Sequence, residues 1–328
     1  MDLRGKVKLA QAVLRYQVGW ESTPIAVAWL VTGRCTASCT YCRWKRLRES
    51  PELDTAQALR MIDDMHDAGV LMISFTGGEP LLRDDIGELT RHVKARGLVC
   101  KLNTNGLLVE RHLKELGPLD LLQVSLDGPP SLHDPLRGAG SAERVTRAVK
   151  CARDAGISLQ LVACLSKATV GAIDEVLRYA LELRVPLHFQ PVAPADLSAE
   201  DREASVPSRV ELGDAFAHLL HLQRRRDRLA RAIGNPRSEL QYHLEVCREG
   251  RRGCDAALVT ATMLPDGELI FCGNAIDYES FSAVKLGFRN AFARLSVPDC
   301  EGCTCVGKLR LTKVFRLDPD VIWEVLGL

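Results

Sequence analysis

The sequence predicts an α/β fold: a partial, TIM-like (β/α)6 barrel followed by a small C-terminal α+β subdomain built from a hairpin and a helix. Short apolar runs alternate with helical patterns six times, and that rhythm stops after Pro194. Nine of the twelve cysteines fall into two clusters, 35/39/42 and 247/254/272/300/303/305, one on each side of that change. A chain of 328 residues is long enough for one sizeable α/β domain and a smaller appendage.

The six strands are expected at 25–31 (IAVAWLV), 70–75, 98–103, 121–126, 157–165 and 185–192. Each is short and rich in apolar or β-branched residues, as buried parallel strands are. Between them lie helical stretches. Asp54 is placed to cap TAQALRMIDDMHDAG, which ends at Gly69. Ser141, with Glu143 close behind, is expected to open the helix that ends at Gly156, and 169–183 repeats the pattern. Strand–helix repetition of this kind implies right-handed crossovers and a parallel sheet.

Residues 1–24 are read as an N-terminal helical segment and 25–195 as the barrel. Residues 196–246 form a polar helical connector, and 247–328 the C-terminal subdomain. Within the last, 257–272 reads as a hairpin around Pro265-Asp266-Gly267, with Gly at the turn position that favours positive φ. Helices are expected at 288–295 and near 317–327. The run Arg224 to Arg231, interrupted by Asp227, reads as a solvated helix face.

Composition excludes several classes. Hydrophobic residues at 46% and charged residues at 26% are globular values. A net charge of +1 gives no global field for nucleic acid, so no nucleic-acid partner is expected. No apolar stretch reaches the ~20 residues that cross a bilayer. Lys6, Lys8 and Arg15 are scattered among apolar residues, unlike a signal peptide. The expected location is cytoplasmic. The N-terminal segment could form a basic amphipathic helix, read as packing on the barrel in preference to touching a membrane. Disulfides are disfavoured in a chain of this size without a secretory signal. Cys100, Cys151 and Cys164 stand apart from the clusters and read as small buried residues.

Cys35-x3-Cys39-x2-Cys42 follows the first strand directly. Three thiolates on one loop can hold three irons of a [4Fe–4S] cube and leave the fourth open. A closed tetrahedral zinc site would want four ligands. The loop lies at the C-terminal end of a barrel strand, where barrel enzymes build active sites. This Cys-x3-Cys-x-aromatic-Cys pattern, with Tyr41 at the aromatic position, resembles the radical S-adenosylmethionine superfamily. The resemblance implies that the open iron is chelated by the amino and carboxylate groups of S-adenosylmethionine. One-electron reduction then releases a 5′-deoxyadenosyl radical, which takes hydrogen from substrate.

Gly77-Gly78-Glu79-Pro80 follows the second strand. The glycines permit close backbone approach, and Glu79 can accept hydrogen bonds from an ammonium group. The segment also reads as a simple turn capped by Glu79; in this setting it resembles the superfamily's cofactor-binding GGEP motif. Asn105-Gly106 and Ser125-Leu126-Asp127-Gly128 end the third and fourth strands. They are ordinary turn dipeptides, and they also resemble strand ends where a Ser and an acid approach the cofactor's carboxylate and ribose. Arg137 is expected to pair with the methionine carboxylate or to form a surface salt bridge. His188 and Gln190 either face the cavity or, for His188, pack in the core.

The second cluster leaves zinc and iron–sulfur open on spacing alone, because two thiolates from a hairpin and two from Cys300-x2-Cys303 close either site. Cys-x(n)-Gly-x4-Cys after such a barrel resembles the SPASM/twitch extension and favours an auxiliary [4Fe–4S] cluster. The expected ligands are Cys254, Cys272, Cys300 and Cys303, with Cys247 and Cys305 as alternates. The resemblance implies hydrogen abstraction from a small molecule, with oxidation such as dehydrogenation as one outcome. The alternatives are a peptide or a lipid-like substrate. A one-electron reductant such as flavodoxin or ferredoxin is the implied partner.

Overall fold

The computed structural model describes residues 3–17, 24–194, 197–250, 259–273, 279–296, 314, 315 and 317. The helix expected near 317–327 therefore lies outside the described residues. After α1 (Leu3–Gln17) come β1 (Ala26–Thr32), α2 (Thr55–Ala68), β2 (Met72–Gly77), α3 (Ile86–Ala95), β3 (Val99–Thr104) and α4 (Leu113–Leu116). Next are β4 (Leu121–Ser125), α5 (Pro130–Arg137), α6 (Ser141–Asp154), β5 (Leu159–Leu165), α7 (Ile173–Leu183) and β6 (Leu187–Pro191). After β6 come α8 (Ala199–Ser205), α9 (Arg209–Arg225) and α10 (Arg237–Glu249), the last running past residue 246. β7 (Thr260–Met263), β8 (Glu268–Ile270), β9 (Phe281–Ser282), α11 (Ala283–Leu286) and α12 (Phe288–Ala293) follow.

Local chemistry explains several helix ends. Asp54 and Gln57 form a reciprocal capping box at α2, and Gly69 closes the helix at φ +99°. At α6 the cap comes from outside the helix. Gly140 occupies the N-cap, and Asp134 of α5 accepts from the amides of Gly140 and Ala142, both at 2.8 Å. Ser141 opens the helix as expected, and the preceding helix supplies its side-chain cap. Thr169–Ala172 form a turn, so α7 starts only at Ile173. The arginine-rich run is likewise broken: α9 stops at Arg225, Arg226 takes φ +52°, and the Asp227 side chain caps a new short turn.

Among the described residues, one open sheet of nine strands runs β6-β5-β4-β3-β2-β1-β7-β8-β9. β1 to β6 are parallel, as expected for a partial barrel that does not close. Within the expected 257–272 hairpin, the described residues pair β7 antiparallel with β8, with Gly267 at φ +86°, and β7 lies parallel against β1 in the same sheet. At the opposite edge the Asn235 side chain accepts from Phe189 N at 2.8 Å and donates to Phe189 O at 2.9 Å.

The strands, read from apolar or β-branched runs as buried, alternate in character. Ile73, Phe75, Leu102, Val124, Leu161 and Phe189 join the main core with the helices. The other face carries Ser74, Asn103, Gln123, Ser125, Gln160 and His188, all half-buried. Asn103 donates to Ser74 at 3.2 Å, and Gln123 to Gln160 at 2.8 Å. Among the described residues no helix is long and apolar enough to cross a membrane. Part of α1 packs with Ile25, Val259, Val314 and Phe315 through Ala12, while Val7 and Leu14 are exposed.

Candidate iron–sulfur site at the mouth of the sheet

The loop after β1 is fixed by its own backbone. Gly78 N donates to Thr32 O at 2.8 Å, and Glu79 N to Arg34 O at 2.7 Å. A Cβ on Gly78 would lie 2.0 Å from Arg34 O, and one on Gly33 would lie 1.5 Å from Leu47 O. The close approach that Gly77-Gly78 permits is therefore made to the cysteine loop itself. Arg48 Nη2 adds a 2.5 Å bond to Ala37 O, and Arg34 pairs with Glu52 at 3.1 Å.

This clamp presents Cys35, Cys39 and Cys42 together at the C-terminal end of the parallel strands. The Cys35 thiol accepts from Ala37 N at 3.5 Å and from Asn105 Nδ2 at 3.7 Å. Cys39 receives Arg137 Nη1 at 3.9 Å. Burial pushes both thiols up, opposed by the Ala37 amide at Cys35 and by Arg137 at Cys39. Loading a metal cluster there must displace those protons. Among the described residues, no group of three or more His, Cys, Asp or Glu side chains closes around a single ion. Three thiols on one loop, each of two already facing a hydrogen-bond donor, are a donor set that fits an iron–sulfur cluster.

Glu79 is wholly buried. Its carboxylate accepts from Thr104 Oγ1 at 2.8 Å, Leu81 N at 3.1 Å and Asn105 N at 2.8 Å. These bonds tie the end of β2 to the end of β3. Burial pushes its carboxyl up to about 7 against those three donors. Asn105 itself is half-buried, donating from Nδ2 to Thr36 Oγ1 at 3.0 Å as well as to Cys35.

Asp127 is equally buried but differently served. Arg137 Nε donates to it at 2.6 Å and Nη2 at 3.4 Å, Cys164 N at 2.9 Å, and the Tyr41 hydroxyl as well. Burial opposes its charge, yet the guanidinium and the hydrogen bonds win and hold the carboxyl below the usual range. The guanidinium also stacks 5.4 Å from the Tyr41 ring centroid. The salt bridge expected of Arg137 is thus present and enclosed, with its partner being Asp127. His133, pushed down to about 4 by burial, accepts from Asp127 N at 3.1 Å. Ser125 ends β4 half-buried.

Sequence reasoning missed Gly33 and Arg48 and gave no specific role to Thr104 and His133, because these roles depend on which strand ends meet. Cys100 and Cys164 are buried, as expected, and Cys151 is half-buried. His188 pairs with Glu239 of α10 at 3.0 Å. Of the second cysteine set, Cys247 lies half-buried on α10 and Cys272 is buried just past β8. Cys254, Cys300, Cys303 and Cys305 lie outside the described residues.

Residues 29–180 match the family described as the Radical SAM superfamily. The chain is 31% identical over 190 residues to Fe-coproporphyrin III synthase of Methanosarcina barkeri, covering 56% of this chain and 47% of that protein. It is 36% identical over 143 residues to the AdoMet-dependent heme synthase of Oleidesulfovibrio alaskensis, covering 41% and 37%. The chain thus spans less than half the length of these two relatives. Identity to mycofactocin maturase MftC of Mycobacterium tuberculosis is 28% over 302 residues, covering 84% and 71%. Streptococcus suis SuiB bound to precursor peptide SuiA has a similar fold, with TM-score 0.67, 16% identity, and 89% and 69% coverage. Native anSMEcpe with bound AdoMet gives TM-score 0.66 at 18% identity, covering 83% and 81%.

Proposed function

Residues 29–180 make this chain a member of the Radical SAM superfamily, and on that premise we propose that it cleaves S-adenosylmethionine at a [4Fe–4S] cluster held by Cys35, Cys39 and Cys42. The substrate, a small molecule, gives up a hydrogen atom. The reading is carried by three thiols clamped at the mouth of a parallel sheet, with Asn105 on Cys35 and Arg137 on Cys39. When bound, the cluster and S-adenosylmethionine supply a 5′-deoxyadenosyl radical after one-electron reduction by a donor such as flavodoxin or ferredoxin.

The chain's own residues then have distinct tasks. Asn105 and Ser125, both half-buried at the mouth, are open to the methionine part and ribose. Glu79 and Asp127 are enclosed and hold strand ends and loop in register. The polar face of Ser74, Asn103, Gln123 and Gln160 lines the space where a substrate would lie. Cys272, with Cys254, Cys300 and Cys303, would hold the auxiliary cluster, with Cys247 and Cys305 as alternates. Two relatives named as porphyrin or heme synthases, at 31% and 36% identity, support the small-molecule reading. A peptide substrate is the second reading, favoured by the 302-residue match to a maturase.

Anaerobic reconstitution tests this directly. The chain should bind more than about four irons and, with a reductant, form 5′-deoxyadenosine. Cys35→Ala should abolish deoxyadenosine while the absorbance of the second cluster survives. A cluster-loaded chain that never forms deoxyadenosine ends the proposal. Stimulation of deoxyadenosine by an iron porphyrin, but not by a peptide, separates the two substrate readings.

A further inference from the structure

Arg137 is committed on every side that the structure records. Nε and Nη2 grip the Asp127 carboxylate, Nη1 reaches Cys39 Sγ at 3.9 Å, and the plane lies over Tyr41. Its side chain is only 10% exposed, and Asp127 is not exposed at all. A cation is therefore fixed against one thiol of the loop by an anion from the end of β4. Tyr41, one residue before Cys42, adds its hydroxyl to the same carboxylate. Asp127 in turn is locked by Cys164 N, so the pair cannot easily swing away.

We infer that Arg137, oriented by Asp127, sets the reduction potential of the cluster by donating to Cys39, acting as a positioning residue and not as a ligand for the cofactor's carboxylate. The inference rests on the cluster being held by Cys35, Cys39 and Cys42. A [4Fe–4S] cluster that takes one electron gains negative charge, spread partly over its thiolate sulfurs. A donor and positive charge at one sulfur stabilise the reduced form more than the oxidised form, which raises the potential. Asp127, one layer further out, offsets part of that charge.

The test is a redox titration of the reconstituted protein without S-adenosylmethionine, reading the reduced cluster by electron paramagnetic resonance. Iron and sulfide content are measured on every variant. Arg137→Gln should lower the ratio of reduced to oxidised cluster about tenfold at a fixed potential, a downward shift of about 59 mV for one electron. Asp127→Asn should shift the potential upward, and the double variant should fall between the two. Opposite signs from two members of one ion pair are not what a shared packing defect produces. Equal potentials at full cluster content, or shifts of the same sign, overturn the inference. If Arg137→Gln does not fold, Asp127→Asn decides alone: an upward shift supports the inference and no shift overturns it. Failure of the unaltered chain to take up this cluster refutes the site itself, and the metal analysis shows that case apart from the others.

Discussion

Glu79 and Asp127 are both carboxylates, both wholly buried, and both at the C-terminal ends of parallel strands two apart in the sheet. Their charge states nevertheless part company. Glu79 has only neutral donors, Thr104 Oγ1 and the amides of Leu81 and Asn105, and its carboxyl rises to about 7. Asp127 has a guanidinium, and its carboxyl falls below the usual range. Three hydrogen bonds from neutral groups do not match burial; one buried cation with hydrogen bonds does. Glu79 is therefore a group that titrates near neutrality, and Asp127 is a fixed charge.

The largest effect should come from breaking the charged member. Arg137→Ala leaves Asp127 buried and unpaired and should cost about 3–5 kcal/mol, read as a drop in the denaturation midpoint. An unchanged midpoint would mean the pair is not enclosed as described. Glu79→Gln should act through pH. A carboxyl raised from 4.5 to about 7 contributes stability that is complete below 4.5 and lost as pH rises through 7. The native chain should therefore lose stability relative to Glu79→Gln by about 1.4 kcal/mol per pH unit across that window. Asp127 has the opposite sign, its contribution present above 3.8 and lost only as pH falls through its depressed value. It should add no slope near neutrality, and a Glu79→Gln variant whose pH profile matches the native one would remove the contrast. The smallest effect is Thr104→Val, which withdraws one neutral donor. About 1 kcal/mol should be lost at pH 8, less at pH 5, in chemical denaturation at the two pH values.

The sequence made the strands, the cysteine loop and the turn residues legible because each is a local pattern. Six apolar runs map onto β1 to β6 within two residues at either end. What stayed hidden depends on register. Nothing in the spacing of Glu79 and Thr104 says they touch; β2 must lie beside β3 first. The Asp127–Arg137 pair was split between two expected ligand roles because ten residues of separation do not reveal that α5 folds back over its own strand end. Gly33 was invisible for the same reason: what it avoids is the carbonyl of Leu47, fourteen residues on. The polar face of the sheet was overlooked because short strands with one or two polar side chains still look apolar as runs.

The pairing of β7 with β1 has a further consequence. β1 is the strand that carries the cysteine loop, and its ladder from Ala26 to Trp29 is completed by Thr260 to Met263, more than two hundred residues later. Without that late segment, β1 would be an edge, with unpaired amides and carbonyls open to any other extended chain. The strand most needed for cofactor assembly is thus left sticky until the C-terminal hairpin has been made. A chain halted near residue 250 should aggregate through the very strand that leads into its cysteines.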